Sequence, residues 1–157
     1  CPGFTLVELL VVASIMAILF SLGTAYYNRF NRAQILNQAV LELKNNLRLA
    51  QSMASTGEKP SSDLVPCDSL EGYRVTFVAG VYKIQAQCSN GPKGTPKTFS
   101  FPAVVRLQAV PPPLLFKVIG KGRGVSGVDE ITGIRIISLT GFGITKTITV
   151  TRTGEIR

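Results

Sequence analysis

The chain has 157 residues, with 17 Lys and Arg against 9 Asp and Glu, a formal charge of +8. It contains no His, which excludes Ser–His and Cys–His nucleophile pairs, imidazole metal ligands and imidazole general bases. Its three Cys cannot form an all-cysteine zinc site, which needs four thiolates, and 45% apolar residues with 17% charged is too apolar for disorder. The length fits one domain with a modest core.

The apolar residues are concentrated at the start. Residues 4–25 read FTLVELLVVASIMAILFSLGTA, with Glu8 as their only charge. As a helix this stretch is about 33 Å long at ~1.5 Å per residue, enough to cross a hydrocarbon core of roughly 30 Å. It does not end in the small-residue pattern of a cleaved secretory signal. A retained membrane helix is therefore expected. Glu8 is anomalous there, because a carboxylate deep in a bilayer costs about 2.5–3.5 kcal/mol on insertion scales. Either it lies at headgroup depth and is solvated, or it meets a cation that this helix does not itself supply.

Beyond Gly23 the pattern changes. Ala33, Leu36, Val40, Leu43, Leu47, Ala50 and Ala54 recur at alternating spacings of three and four, one stripe on a helix. With Pro2 the only proline before Gly57, one helix is predicted from Phe4 to about Ala54, with Gly23 its soft point and Gly57 its stop. The stripe fits a coiled-coil seam or, preferably, packing onto a sheet of the same chain.

Residues 55–70 are polar and turn-rich and read as a loop. The stretch GYRVTFVAGVYKIQAQC alternates as two strands around an Ala79-Gly80 turn. Residues 89–96 read as a second loop. Strands are expected at 98–101, 104–110, 114–118, 133–139 and 146–151, with a short last strand ending at Arg157. Pro111–Pro113 hold the chain extended. The sequence KGRGVSG (121–127) lacks the GK[ST] of a phosphate loop and reads as a plain flexible turn.

Gly3-Phe4-Thr5-Leu6-Val7-Glu8, followed by unbroken apolar sequence, resembles the processing motif of type IV pilins and type II secretion pseudopilins. The resemblance implies cleavage between Gly3 and Phe4 by a prepilin peptidase and N-methylation of Phe4. It also implies that Glu8 pairs with the Phe4 amine of a neighbouring subunit, the cation this helix lacks. Such a pair attracts strongly in low dielectric, and each member is costly alone. Family leaders end in a basic stretch, whereas Cys1–Gly3 has none, a departure attributed to truncation. The positive-inside rule, applied to Arg29 and Arg32, places the body in the cytoplasm. The resemblance implies the reverse: leader inside, body outside the inner membrane.

The order of elements, the NLRLAQSMA helix end and the closing run of strands are similar to the GspH/FimT type of minor pilin. The implied fold class is α+β: one long N-terminal helix, its first half transmembrane, packed on antiparallel β-sheets. The implied organisation is a residual leader at 1–3, a membrane helix at 4–25 and an extracytoplasmic domain at 26–157, with helix at 26–54 and strands over 72–157. In that setting Cys1 leaves with the leader, and Cys67 and Cys88 remain in an oxidising compartment. They form either a disulfide across a separation of 21 residues or two unpaired thiols.

The last third is basic, with Lys117, Lys121, Arg123, Arg135, Lys146, Arg152 and Arg157 against Asp129, Glu130 and Glu155. This is either an ordinary solvated surface or a contact for phosphate backbones. Some FimT-like minor pilins bind DNA through a C-terminal Gly-Arg-x-Arg motif. Here the tail is Gly154-Glu155-Ile156-Arg157, with Glu155 where the first Arg would stand, so Arg157 alone matches and Arg152 lies near.

The expected role is a non-enzymatic filament subunit, with the peptidase, other pilin subunits, the membrane and DNA as partners, and no cofactor, metal or small-molecule substrate. Residual Ser–Lys chemistry finds no S-x-x-K spacing. The rival expectation is a membrane-anchored binding module that never assembles. An anchor of that kind needs neither Glu8 nor the Gly3-Phe4 pair.

Overall fold

The computed structural model describes residues 3, 5–60, 66–120, 124–128 and 132–157, with the side chains of 22–25 excepted. One helix, α1, runs from Leu6 to Thr56 and passes through Gly23 without a break. Its 51 residues make it about 75 Å long. Thr5 is its N-cap. Gly57 ends it in the left-handed conformation at φ 66°, which glycine adopts without a Cβ penalty.

The first half of α1 is long and apolar enough to cross a membrane, with a mean hydropathy of 2.4 in its most apolar window, none of which is buried. The second half buries Leu36, Ala39, Leu43, Leu47, Ala50 and Ala54. Val40 and Ala33 are half-buried at the edge of this stripe, and Ala39 takes the central place between Leu36 and Leu43. The stripe packs onto strands of the same chain.

Among the described residues eight strands follow, all paired antiparallel: β1 (Leu70–Val78), β2 (Val81–Cys88), β3 (Gly91–Ser100), β4 (Val105–Leu107), β5 (Leu114–Lys117), β6 (Val125–Ser126), β7 (Ile134–Gly141) and β8 (Ile144–Thr151). They form a five-stranded sheet in the order β3-β2-β1-β5-β6 and a three-stranded sheet in the order β4-β7-β8. The β1–β2 hairpin closes through Ala79-Gly80, as its alternation predicts. Tyr73, Val75, Phe77, Tyr82, Ile84, Leu114 and Phe116 point toward α1, and Ile137, Leu139, Ile148 and Val150 complete one continuous core.

Two polar ties enter that core. Asn46 Nδ2 of α1 donates to Tyr82 Oη at 2.7 Å, and Tyr73 Oη donates to the Glu58 carbonyl at 2.8 Å. Burial raises the pKa of Tyr82, as does the charge of Glu42, against a lowering by the Asn46 bond. Burial, then the charge of Glu58, raises that of Tyr73.

Three expectations need correction. Residues 89–96 are not a loop: β3 starts at Gly91, despite Pro92 and Pro96. As an edge strand it can leave prolines on its open side, where no ladder donor is needed. The ladder bulges between Ala86↔Lys93 and Ile84↔Lys97, where Gln85 Nε2 bonds the Gly94 carbonyl at 2.9 Å. The strand expected at 104–110 is only Val105–Leu107, because the chain leaves β7 before the proline run. The glycine-rich segment is not wholly a turn, since Val125-Ser126 pair with β5 as β6. Val125 N also donates to the Arg152 carbonyl at 2.9 Å, which links the two sheets.

Candidate functional site

Three places carry the residues singled out by the sequence: the start of α1, the cysteine pair and the basic closing third.

At the start of α1, Gly3 lies open, with nothing within 4 Å of where a Cβ would stand, while Phe4 and Cys1 fall outside the described residues. Thr5 and Glu8 form a capping box. Glu8 N donates to Thr5 Oγ1 at 3.3 Å, and Thr5 N and Oγ1 both donate to Glu8 Oε2 at 3.4 Å. The i, i+3 spacing puts both side chains over the first turn, where the amide donors have no partner within the helix. The Glu8 carboxylate is thus held at the positive end of the helix, on an exposed surface, among otherwise apolar residues. These contacts are long for hydrogen bonds, so a charged donor brought close competes well against them.

Cys67 and Cys88 are joined by a disulfide with a Cα–Cα distance of 5.7 Å. It ties the segment after α1 to the end of β2. Around it, Ser89 N donates to the Ser69 carbonyl, Asn90 Nδ2 to the Pro66 carbonyl, and Lys59 Nζ to the carbonyls of Cys67 and Asp68. By chain entropy, closing 21 residues contributes about 3 kcal/mol.

Among the described residues the basic side chains of the closing third do not form one cluster. Gly154, at φ 92°, turns the chain back after β8 and lies so close to α1 that a Cβ there would stand 2.7 Å from Gln51 Nε2. The tail then runs antiparallel beside β8. Thr151 N donates to the Glu155 carbonyl at 3.0 Å, and Thr149 and Arg157 exchange backbone bonds at 3.2 and 3.0 Å. Ile156 is buried, and its bridge to Val150 is the short last strand. Arg157 Nε donates to Glu155 Oε1 at 2.7 Å, so the tail's own acid takes up its arginine.

Arg152 is exposed beside β6, and the carbonyl of Gly124, just before that strand, accepts from Lys117 N at 3.2 Å. Lys117 and Arg152 therefore flank one strand, while Arg157 faces Thr149, farther along β8. Lys121, Arg123, Asp129 and Glu130 lie outside the described residues. Arg135 Nε is bonded to the Gly127 carbonyl at 2.8 Å and serves the fold. Two exposed cations that the strand alternation concealed, Arg74 on β1 and Lys83 on β2, stand on the outward face of the five-stranded sheet.

Among the described residues no group of His, Cys, Asp and Glu has the arrangement to hold a metal ion. A groove of about 360 Å³ between the end of α1, β5, β6 and the tail is lined by Gln51, Ser55, Phe116, Lys117, Val125 and Thr153.

Residues 1–24 match the family model of the prokaryotic N-terminal methylation motif. The match supports a type IV pilin-like or pseudopilin-like protein, processed by a prepilin peptidase and assembled with other pilins, and it fits a membrane-anchored chain. No curated protein and no solved structure matches the chain.

Proposed function

We propose that the protein is a minor pilin or pseudopilin subunit of the GspH/FimT type, without enzymatic activity. Residues 4–25 hold it in the inner membrane with the domain from residue 26 outside. Prepilin peptidase cuts between Gly3 and Phe4, Phe4 is N-methylated, and the subunit joins the filament of a type IV pilus or a type II secretion pseudopilus. The carrying observation is the methylation motif on a helix whose apolar first half covers nothing in its own chain while one stripe of its second half, from Leu36 to Ala54, is buried by the domain. A segment that is apolar and unburied needs lipid or other subunits around it.

In this reading Glu8 changes partner. In the single chain it caps α1 through Thr5. In the filament its carboxylate meets the Phe4 amine of the next subunit, a stronger, charge-assisted contact. The GspH/FimT assignment is supported by the order of elements, one helix and then antiparallel strands with a tail folded on the last of them. Contact with DNA is part of the same reading and is supported by the charge of +8. The tail is its weaker candidate surface, because Glu155 occupies Arg157.

Intact-mass analysis of the membrane-extracted protein, co-produced with a prepilin peptidase, tests the core of this reading. The expected mass is that of a chain starting at Phe4 plus one methyl group. A mature chain that retains Gly3 overturns it and leaves an anchored, non-assembling module.

A further inference from the structure

The outward face of the five-stranded sheet carries a row of cations. Cross-strand pairing sets Arg74 opposite Gln85 of β2 and Leu115 of β5. Lys83, opposite Thr76, is two residues from Gln85 in one direction, and Lys117, opposite Gly72, is two residues from Leu115 in the other. Lys83, Arg74 and Lys117 therefore lie on one diagonal across β2, β1 and β5, with successive Cα atoms about 7–8 Å apart. All three are exposed, and none has a carboxylate within ion-pair distance among the described residues. Gln85, Thr76 and Thr98 add neutral hydrogen-bonding groups around them. The nearest acid along β1 is Glu71, half-buried in the bulge that opens the strand.

We propose that this diagonal is a docking surface for DNA, bound through its phosphate backbone. The inference rests on the reading of the domain as DNA-contacting and replaces the tail with the sheet face as its site. Evenly spaced cations along one face of a sheet complement the regular charge of a phosphodiester chain. A sheet face of this kind offers no element that enters a groove, so contact is to phosphates and independent of sequence. The opposite face of the sheet packs on α1, so the cationic face looks sideways from the helix axis.

The test is a titration of labelled duplex with the full chain in a neutral detergent, at several salt concentrations. Three phosphate contacts give a log–log slope near −2.7, so affinity falls roughly 40-fold between 50 and 200 mM salt. The triple variant Arg74→Ala, Lys83→Ala, Lys117→Ala is expected to lose most of that slope with an unchanged thermal midpoint, and Lys83→Glu alone to weaken binding at low salt. The variant Arg152→Ala, Arg157→Ala is expected to keep the slope. No binding by the unaltered chain at low salt overturns the DNA reading as a whole. Binding that the triple variant leaves intact, or that the tail variant flattens, overturns the sheet site alone. Displacement by poly-aspartate as effective as displacement by unlabelled duplex at equal charge also overturns it, since the face would then take any acidic chain.

Discussion

Among the described residues the Glu8 side chain has two hydrogen-bond donors, and both belong to Thr5. Its carboxylate is therefore not a bare charge in apolar surroundings but part of a helix cap, which lowers the cost of holding it near the membrane. With the proposed pairing role added to the cap, Glu8 has a mixed mutant phenotype. Glu8→Val is expected to abolish filament incorporation, while the cleaved chain still accumulates in the membrane fraction, because Val favours insertion and leaves Gly3-Phe4 in place. Fractionation with immunoblotting of sheared filaments checks this; normal assembly of the variant removes Glu8 from subunit pairing. The start of α1 was legible because its signal is local: a spacing of three fixes a cap wherever a helix begins. The basic residues were not, because charge counting along the chain ignores which neighbours fold back. Arg157 reads as the tail's free cation, yet it is taken by Glu155 two residues away. Arg74 and Lys83 read as the polar halves of two alternations, and only the register puts them in line with Lys117.

At the scale of elements, the second half of α1 divides sharply between a buried and an exposed face. Leu47 is fully buried against the sheets, whereas Leu41, on the opposite face, is 58% exposed. Leu47→Ala is expected to destabilise the domain by about 2–5 kcal/mol through lost contacts and a cavity. Leu41→Ala is expected to stay within about 0.5 kcal/mol, as surface changes usually do. Urea unfolding of the full chain in detergent micelles, followed by the near-ultraviolet signal of its tyrosines, distinguishes the two. The stripe and the β1–β2 hairpin were legible because their periods of 3.6 and 2 persist over several turns and pairs. In β3 no such period survives: two Pro, two Gly and a two-residue offset in register erase it, and partnership with β2 supplies the order that its own propensity lacks. β6 is too short to show any pattern, and its pairing with β5 and its bond to Arg152 define it.

For the whole molecule, the single core makes stability depend on two phenols. Both Tyr73 and Tyr82 have pKa values raised above the ordinary 10.0, mainly by burial. The unfolded chain then releases these protons before the folded one does. Stability is fully retained below the unfolded value and lost as pH rises through the folded values. The thermal midpoint is therefore expected to stay level up to about pH 10 and to fall above it. Tyr82→Phe lowers the midpoint at neutral pH, since Asn46 loses its acceptor, but makes the alkaline fall shallower; an unchanged fall would put the titration elsewhere. The return of the tail onto β8 has a practical consequence for anyone who extends this chain. Residues added after Arg157 leave opposite Thr149 and, continuing in line, pass Thr147 and Thr145, whose outward backbone groups lie on the same edge. A fusion beginning with β-formers would zip along that edge as a fourth strand, and two copies could do the same to each other. A fusion beginning with Pro and Gly would instead leave the sheet at once and keep the edge clear.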